Sequence, residues 1–483
     1  MPTPTGAAPR RPKPNTTIAV LATAGIVVSL MQTLVIPLVP LLPGLLGASV
    51  ADTAWAITAT LLAAAVATPV VGRLGDMYGK RRMLLISLGV LVLGSVVAAL
   101  SNSLAPMVVG RALQGLAAGV IPLGISIMRD ELPKERLGSA MALMSASLGV
   151  GGALGLPAAA FLADRTDWHV LFWTAAVLGA VVTVLVARLV PESEVKSGGR
   201  FDLPGAAGLS VALLCMLLAI SKGADWGWTD PLTLGLLAAA VVVLAAWGRW
   251  ELRTRQPLVD LRTTVRRQVL LTNLASAVFG FAMFAMSLVL PQLLQLPTGT
   301  GYGMGQSMLA VGLVMAPSGL VMIAMAPVSA RVSRDRGPKV TLMLGAVVVA
   351  AAYALGAVLQ SEIWHLVLVS SLVGAGIGLS YGSMPALIMA AVPVSETAAA
   401  NSLNTLMRSI GTSVSSAVAG VILAQMTVAF GGQDLPSQDG FRLIMAVGAG
   451  AALVALAVAA FLPSKPAPAE PADRPMVGAG SAA

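Results

Sequence analysis

The sequence predicts an all-α polytopic membrane protein with 14 transmembrane helices, arranged as six, two and six. Three observations carry this reading: long apolar runs, one-sided placement of Lys and Arg, and an internal repeat. The chain has 483 residues, of which 57% are hydrophobic and only 11% charged; soluble domains carry about a quarter charged residues. Its mean hydropathy is +0.87. The apolar runs extend over roughly 18 or more residues, long enough for helices to cross a bilayer core. Lipid satisfies no backbone polar group, so spans are helices or closed barrels. Barrel strands alternate over about ten residues, and these runs do not.

The expected spans lie near 17–42, 54–72, 83–100, 105–127, 138–162, 168–189, 204–221, 231–250, 268–292, 305–328, 341–359, 364–391, 398–427 and 441–462. Span 1 follows Arg10, Arg11 and Lys13 and contains Ala22-Thr23-Ala24, which mimics a signal peptide and its cleavage site. Its apolar run continues to about Leu46, too long for a signal, so the span is retained. Spans 2 and 3 are joined by the short cationic loop Gly72-Arg73-Leu74-Gly75-Asp76-Met77-Tyr78-Gly79-Lys80-Arg81-Arg82, which requires a tight hairpin. The layout is then a tail over 1–16, a six-helix bundle over 17–190, two inserted spans with linkers over 191–267, and a second bundle over 268–462. A Pro- and Ala-rich tail over 463–483 is expected to be disordered.

Charge placement fixes orientation. With the N-terminus inside, the inner segments hold nearly all of the 30 Lys and Arg, including Lys465 and Arg474 of the tail. Arg165, Lys222 and Arg442 fall outside, and Arg111 and Arg408 lie within spans. The eight Trp cluster near span ends and in the 7–8 loop, as an aromatic belt does. His169 and His365 adjoin two of these Trp at the outer boundary, which favours anchors over a proton-handling role. The single Cys215 excludes an internal disulfide and reads as a packing residue.

The repeat explains the six-plus-six count. Thr33-Leu34-Val35-Ile36-Pro37 recurs as Ser287-Leu288-Val289-Leu290-Pro291, and Arg73 and Gly79 recur as Arg331 and Gly337. Gly115 and Gly119 match Gly374 and Gly378. Parallel six-span repeats with a substrate site at their interface are a transporter architecture.

These residues resemble the major facilitator superfamily, and within it the fourteen-span branch of drug:proton antiporters. The loop Gly72 to Arg82 resembles motif A of that family. Arg111-Ala112-Leu113-Gln114-Gly115 resembles motif B. Gly151-Gly152-Ala153-Leu154-Gly155-Leu156-Pro157 resembles the antiporter motif C, with Gly-Leu-Pro where Gly-Pro is usual. Trp168 to Trp173 and Asp225-Trp226-Gly227-Trp228 are also typical of the branch. The branch usually carries an aspartate two residues before the position of Thr33; here that residue is Met31.

The resemblance implies the major facilitator fold and a role for each motif. Gly72 and Gly79 permit close approach and positive φ. Asp76 is expected to accept hydrogen bonds from the span 13 N-terminus near Thr397, where the helix dipole favours an anion. In the family this contact latches the halves on the cytoplasmic side. Arg73 and Arg82 are the candidates for the same network, against a plain topology role shared with Lys80 and Arg81. Arg111, with Gln114, is expected to couple proton movement to conformational change, or else to snorkel. Arg408 lies about 16 Å deep in span 13. Asn401, Asn404, Arg408, Gly411 and Ser415 share one helix face. That face is either a cavity lining, with Gln32 and Thr33 opposite, or an interhelical seam.

All 21 acids fall in loops, tails or span ends, which leaves Asp76, Asp52 and Asp164 for proton coupling. Two buried arginines without a buried acid favour neutral or anionic substrates over lipophilic cations. The 23 Met offer an adaptable surface, although lipid and core packing account for most. The expected protein is a secondary exporter of small amphipathic compounds, such as antibiotics, working by alternating access with proton antiport. It sits as a monomer in the bacterial cytoplasmic membrane with both termini cytoplasmic. Its expected partners are the small-molecule substrate, protons and the lipid bilayer, not nucleic acid. No Walker loop, metal-ligand cluster or nucleophile triad is visible, so no cofactor and no enzyme activity are expected. A lipid or metabolite exporter and an uncoupled facilitator remain open. A membrane sensor or enzyme would need a polar cluster or a soluble domain.

Overall fold

A computed structural model describes residues 14–35, 38, 41–431 and 433–463. Arg10, Arg11, Lys13, Ile36, Pro37, Lys465 and Arg474 lie outside the described residues, as does nearly all of the C-terminal tail; the Asp164 side chain is likewise not described.

Among the described residues, fourteen helices are long and apolar enough to cross a membrane. They are α1 (Pro14–Thr33), α2 (Trp55–Tyr78), α3 (Lys80–Ala99), α4 (Leu104–Glu131), α5 (Lys134–Arg165), α6 (His169–Leu189), α7 (Leu203–Trp226), α8 (Pro231–Arg253), α9 (Arg267–Gln295), α10 (Met308–Arg336), α11 (Pro338–Val358), α12 (Ile363–Met389), α13 (Thr397–Gln425) and α14 (Gln438–Ala460). Helix α4 passes through a 3-10 turn at Leu116–Gly119. Apolar side chains run around most of these helices, as lipid on one side and protein on the other require. The ends carrying Arg73, Arg129, Arg253 and Arg331 form one basic face.

Two elements differ from expectation. Span 1 was expected to reach residue 42, but α1 closes at Thr33. Pro37, Pro40 and Pro43 follow in the sequence, and a proline disfavours helix at and before its own position. The fold is also not wholly helical: between α13 and α14, β1 (Thr427–Phe430) pairs antiparallel with β2 (Gln433–Pro436). The Tyr302 hydroxyl donates to the Pro436 carbonyl at 2.6 Å and docks this hairpin on the 9–10 loop.

Each six-helix set has its own core. Leu21, Leu84, Leu88 and Phe172 centre the first; Val289, Leu290, Tyr353 and Phe441 centre the second. The sets meet mainly along two helix pairs, α2 with α13 and α5 with α10, and also where α5 meets α12 and α4 meets α13. Small residues permit that approach: a Cβ on Gly312 would lie 2.8 Å from the Pro157 nitrogen, and one on Gly149 would lie 2.5 Å from Met322 Sδ. The inserted helices are unequal. Through Leu209, Leu213 and Leu217, α7 packs on Leu62 of α2 and Leu406 of α13. Helix α8 is largely exposed along its length.

Candidate functional site

The polar centre of the molecule is a set of contacts between the halves at the basic face. Asp76, near the end of α2, is fully buried. Its Oδ1 accepts from the Ala398 amide at 3.2 Å and its Oδ2 from the Ala399 amide at 2.8 Å. These are first-turn amides of α13, which have no partner within their own helix. The carboxylate therefore meets both the orphan donors and the positive end of the helix dipole. Gly72, one turn back, lets the helices touch: a Cβ there would sit 2.1 Å from Ser402 Oγ and 2.9 Å from the Ala398 carbonyl oxygen.

Arg129, at the end of α4, makes the complementary contact. Its guanidinium donates to the carbonyls of Met389 (2.9 Å), Val392 (3.2 Å) and Pro393 (3.4 Å), and to Thr397 Oγ1 (2.5 Å). Most of these are carbonyls just beyond the α12 C-terminus, where the dipole favours a cation. An acid thus holds one helix start and a base holds the preceding helix end. Behind them Lys80, completely buried, bonds Asp130 Oδ2 at 2.6 Å and lies 3.8 Å from Asp76 Oδ1. Ser193 also donates to Asp130.

The other motif A residues are placed around this network. Gly79 has φ of +116° and ends α2; a Cβ would lie 2.7 Å from Glu192 Oε1. That carboxylate accepts from the Arg81 and Arg82 amides and so caps α3. Arg82 contributes its amide, while its side chain is exposed. Arg73 lines a cavity of about 290 Å³ on the basic face, together with Glu251 and Glu396. Lys80, read from sequence as a topology residue, and Arg129 are thus the cations that complete these contacts. Arg129 has no local signal, because its partners lie 260 or more residues away; Lys80 has one in Asp76, one helical turn back, but not in Asp130.

Arg111 is buried and does not snorkel. Its Nε donates to the Ala56 carbonyl at 3.0 Å; Nη1 donates to the Met31 carbonyl at 3.0 Å and to Gln114 Oε1 at 2.7 Å. Gln114 in turn donates to Ser95 Oγ at 2.9 Å. One guanidinium therefore ties α1, α2 and α4, and Gln114 extends the tie to α3. At Met31 a main-chain oxygen serves where the resembled branch has a carboxylate. Gly115 lets α4 approach the Thr60 carbonyl of α2 to 2.3 Å from a would-be Cβ.

The motif C-like glycines serve packing. Thr33 Oγ1 donates to the Gly151 carbonyl at 3.2 Å. A Cβ on Gly151 would collide with Ser29 and one on Gly155 with Thr33, so α5 lies close against α1. Pro157 faces Gly312 of α10. Gln32 is exposed, and neither it nor Thr33 lines the small cavity between the halves.

That cavity is nearly closed, at about 10 Å³, and is lined by Ile121, Ser145, Tyr381, Asn401, Asn404 and Arg408 among others. The Arg408 guanidinium stands 4.9 Å from the Tyr381 ring centroid, a cation–π contact. No carboxylate among the described residues pairs with it. The α13 face is both lining and seam. Asn404 donates to Asn273 Oδ1 at 3.0 Å, and Gly411 would place a Cβ 1.8 Å from the Ala277 carbonyl oxygen of α9. Both histidines act locally. His169 stacks on Trp168, bonds Asp167 and meets the Ser101 carbonyl. Its amide and ring hold the Asp167 carboxyl below its ordinary range. His365 closes a capping box with Glu362 at the start of α12.

Residues 21–416 match the family model of the Major Facilitator Superfamily. An uncharacterised MFS-type transporter of Mycobacterium tuberculosis is 30% identical over 398 residues, 81% of this chain and 57% of that protein. The chain thus spans little more than half the length of that relative. The tetracenomycin C resistance and export protein of Streptomyces glaucescens is 28% identical, covering 86% of this chain and 77% of its own. Multidrug resistance protein 3 of Bacillus subtilis is 23% identical, over 76% and 72%. Among solved structures, the human organic anion transporter MFSD10 superposes with a TM-score of 0.66 at 16% identity. That match covers 93% of this chain and 100% of the other, and speaks for the fold alone.

Proposed function

This chain belongs to the major facilitator superfamily, and on that premise we propose that it is a secondary exporter of small amphipathic compounds working by alternating access. The observation that carries the reading is the latch at the basic face. Asp76 and Arg129 hold the second half through helix ends, at the basic-face end of the close-packed helix pairs, and such polar contacts break and reform as units. In this reading the basic face is cytoplasmic, and the latch is the inner gate in its closed state. The six-helix sets over 17–190 and 268–462 are the two rocking bodies, and 191–267 is an insert between them. Gly72, Gly79 and Asp76 form the gate, Arg111 and Gln114 transmit to it, and Asn401, Asn404 and Arg408 face the substrate.

Efflux of antibiotic-like compounds is supported by the likeness to the Streptomyces tetracenomycin C resistance and export protein and the Bacillus multidrug resistance protein. Arg408 without a carboxylate partner favours neutral or anionic compounds over lipophilic cations. Proton antiport is the proposed energy source, and the protein is proposed to act as a monomer. The test is uptake into proteoliposomes under an imposed pH gradient, with neutral, anionic and cationic drugs side by side. Gradient-driven transport of neutral or anionic members is expected. An ethidium-like cation as the best substrate would overturn the substrate class, and transport indifferent to the gradient would leave an uncoupled facilitator, which Met31 favours.

A further inference from the structure

We propose that Asp202 and Glu251, at the basic-face end of the inserted helix pair, form a carboxylate pair that holds one proton and passes its state to the gate helices. The first part stands on geometry alone, and the second rests on the antiport reading above.

Glu251 is 2% exposed and Asp202 is 8% exposed. Asp202 is well bonded: it caps α7 by accepting from the Gly205 amide at 3.0 Å, and it accepts from Trp250 Nε1 at 3.1 Å. Glu251 is the opposite case. The Leu258 and Val259 amides and the Trp247 indole lie around it, yet neither of its buried oxygens has a partner in hydrogen-bond geometry. The two acids converge on one point. A Cβ on Gly205 would lie 2.1 Å from Asp202 Oδ2 and 2.6 Å from Glu251 Oε1. Only a glycine there leaves room for both, and the oxygens are within about 5 Å of each other, where two buried carboxylates do not both ionise. Among the described residues no Lys, Arg or His forms an ion pair with either. One proton answers both needs: it relieves the repulsion and gives Glu251 a donor.

The site is open to exchange, because Glu251 lines the basic-face cavity. The charged groups facing it there are Arg73 of α2, Glu396 just before α13, and Arg255, Asp260 and Arg262 of the 8–9 linker. Asp202 begins α7, and α7 packs on both α2 and α13, the helices joined by Asp76. A charge appearing at the base of α7 therefore acts beside both partners of the latch. This would supply the titratable carboxyl that span 1 lacks at Met31.

The test has a spectroscopic and a transport arm, both on the full chain. Infrared difference spectra of the purified protein across pH should contain one carboxylic-acid carbonyl band that titrates. That band should vanish in Glu251→Gln and shift in Glu251→Asp, a variant that preserves the acid if Gln disturbs folding. In proteoliposomes, Glu251→Gln and Asp202→Asn should lose stimulation by the pH gradient and keep substrate exchange down its own gradient. No titrating band that responds to either Glu251 variant would overturn the proton site. A responsive band with full gradient stimulation in Glu251→Gln would overturn its coupling to the gate. A wild-type protein indifferent to the gradient, with the band intact, would reject antiport and support the proton site alone.

Discussion

The two hairpins at the basic face share one backbone and differ in chemistry. In the first, α2 turns into α3 at Gly79, with φ of +116°; in the second, α10 turns into α11 at Gly337, with φ of +91°. The repeat aligns Asp76 with Arg334 and Gly72 with Ala330. Asp76 is fully buried and bonded across the halves, whereas the Arg334 side chain is 71% exposed and, among the described residues, pairs with its neighbour Asp335 alone. Around the first hairpin α2 lies tight on α13; beside the second, Ala330, Arg331 and Arg334 line an open cleft of about 910 Å³ between α10 and α5. Duplication thus explains the scaffold but not the latch. One interface on this face is closed by polar contacts and its twin is left open, which under the proposed function gives the molecule one defined gate.

Removing the acid should have the largest effect. Asp76→Ala strips two first-turn amides of α13 of their acceptor and leaves Lys80 with Asp130 alone. Breaking a buried charged contact of this kind costs about 3–5 kcal/mol. Transport should fall by about a hundredfold, and the Ala398 and Ala399 amides should exchange hydrogen markedly faster. Unchanged protection at those two amides would break the comparison, because the first hairpin would then be no more a latch than the second.

Much of this asymmetry was legible in the sequence, and the reasons are physical. Span count and the six-two-six order follow from hydropathy and charge, which lipid imposes on every turn of helix. Asp76 stood out because an acid in a basic loop needs a reason, and the start of span 13 supplied one. Arg129 did not stand out: its acceptors are backbone carbonyls more than 250 residues away, and carbonyls leave no trace in sequence. Arg111 did stand out, as a charge inside span 4, but its partners did not, since they include the Met31 and Ala56 carbonyls. Asp202 and Glu251 were passed over as ordinary span-end acids, since their convergence on Gly205 depends on how α7 meets α8. The β1–β2 hairpin did leave a signal, an apolar Val-Ala-Phe stretch before Gly431-Gly432, but a membrane reading treats such short stretches as loop.

Gly72 tests the packing side of the comparison, with a smaller expected effect. Its counterpart Ala330 carries a Cβ beside an open cleft, whereas a Cβ at 72 meets Ser402 and the Ala398 carbonyl. Forcing a methyl group into such a contact costs about 1–3 kcal/mol. Gly72→Ala should therefore lower transport by roughly three- to tenfold, with Asp76 still able to reach α13. Ser402→Gly removes the side-chain part of the clash and should recover part of the loss in the double variant. Failure of that rescue would mean that the main-chain contact with Ala398 alone sets the helix separation.

The smallest effect should come from making the second hairpin resemble the first. Arg334→Asp puts an acid where Asp76 aligns, but the chemistry that gives Asp76 its role is missing there. The site is exposed, the residue at the Gly72 position is Ala330, and the neighbouring contact is Asp335 rather than orphan amides. An exposed charge of this sort contributes about 1 kcal/mol or less. Transport and thermal stability of Arg334→Asp should stay within about twofold and a few degrees of the parent, since surface changes seldom exceed about 0.5 kcal/mol. A large loss in this variant would mean that the cleft between α5 and α10 closes during the cycle and that Arg334 then finds a partner. The second hairpin would in that case be a gate of its own, open in this conformation and closed in another, and the asymmetry would belong to the state rather than to the sequence.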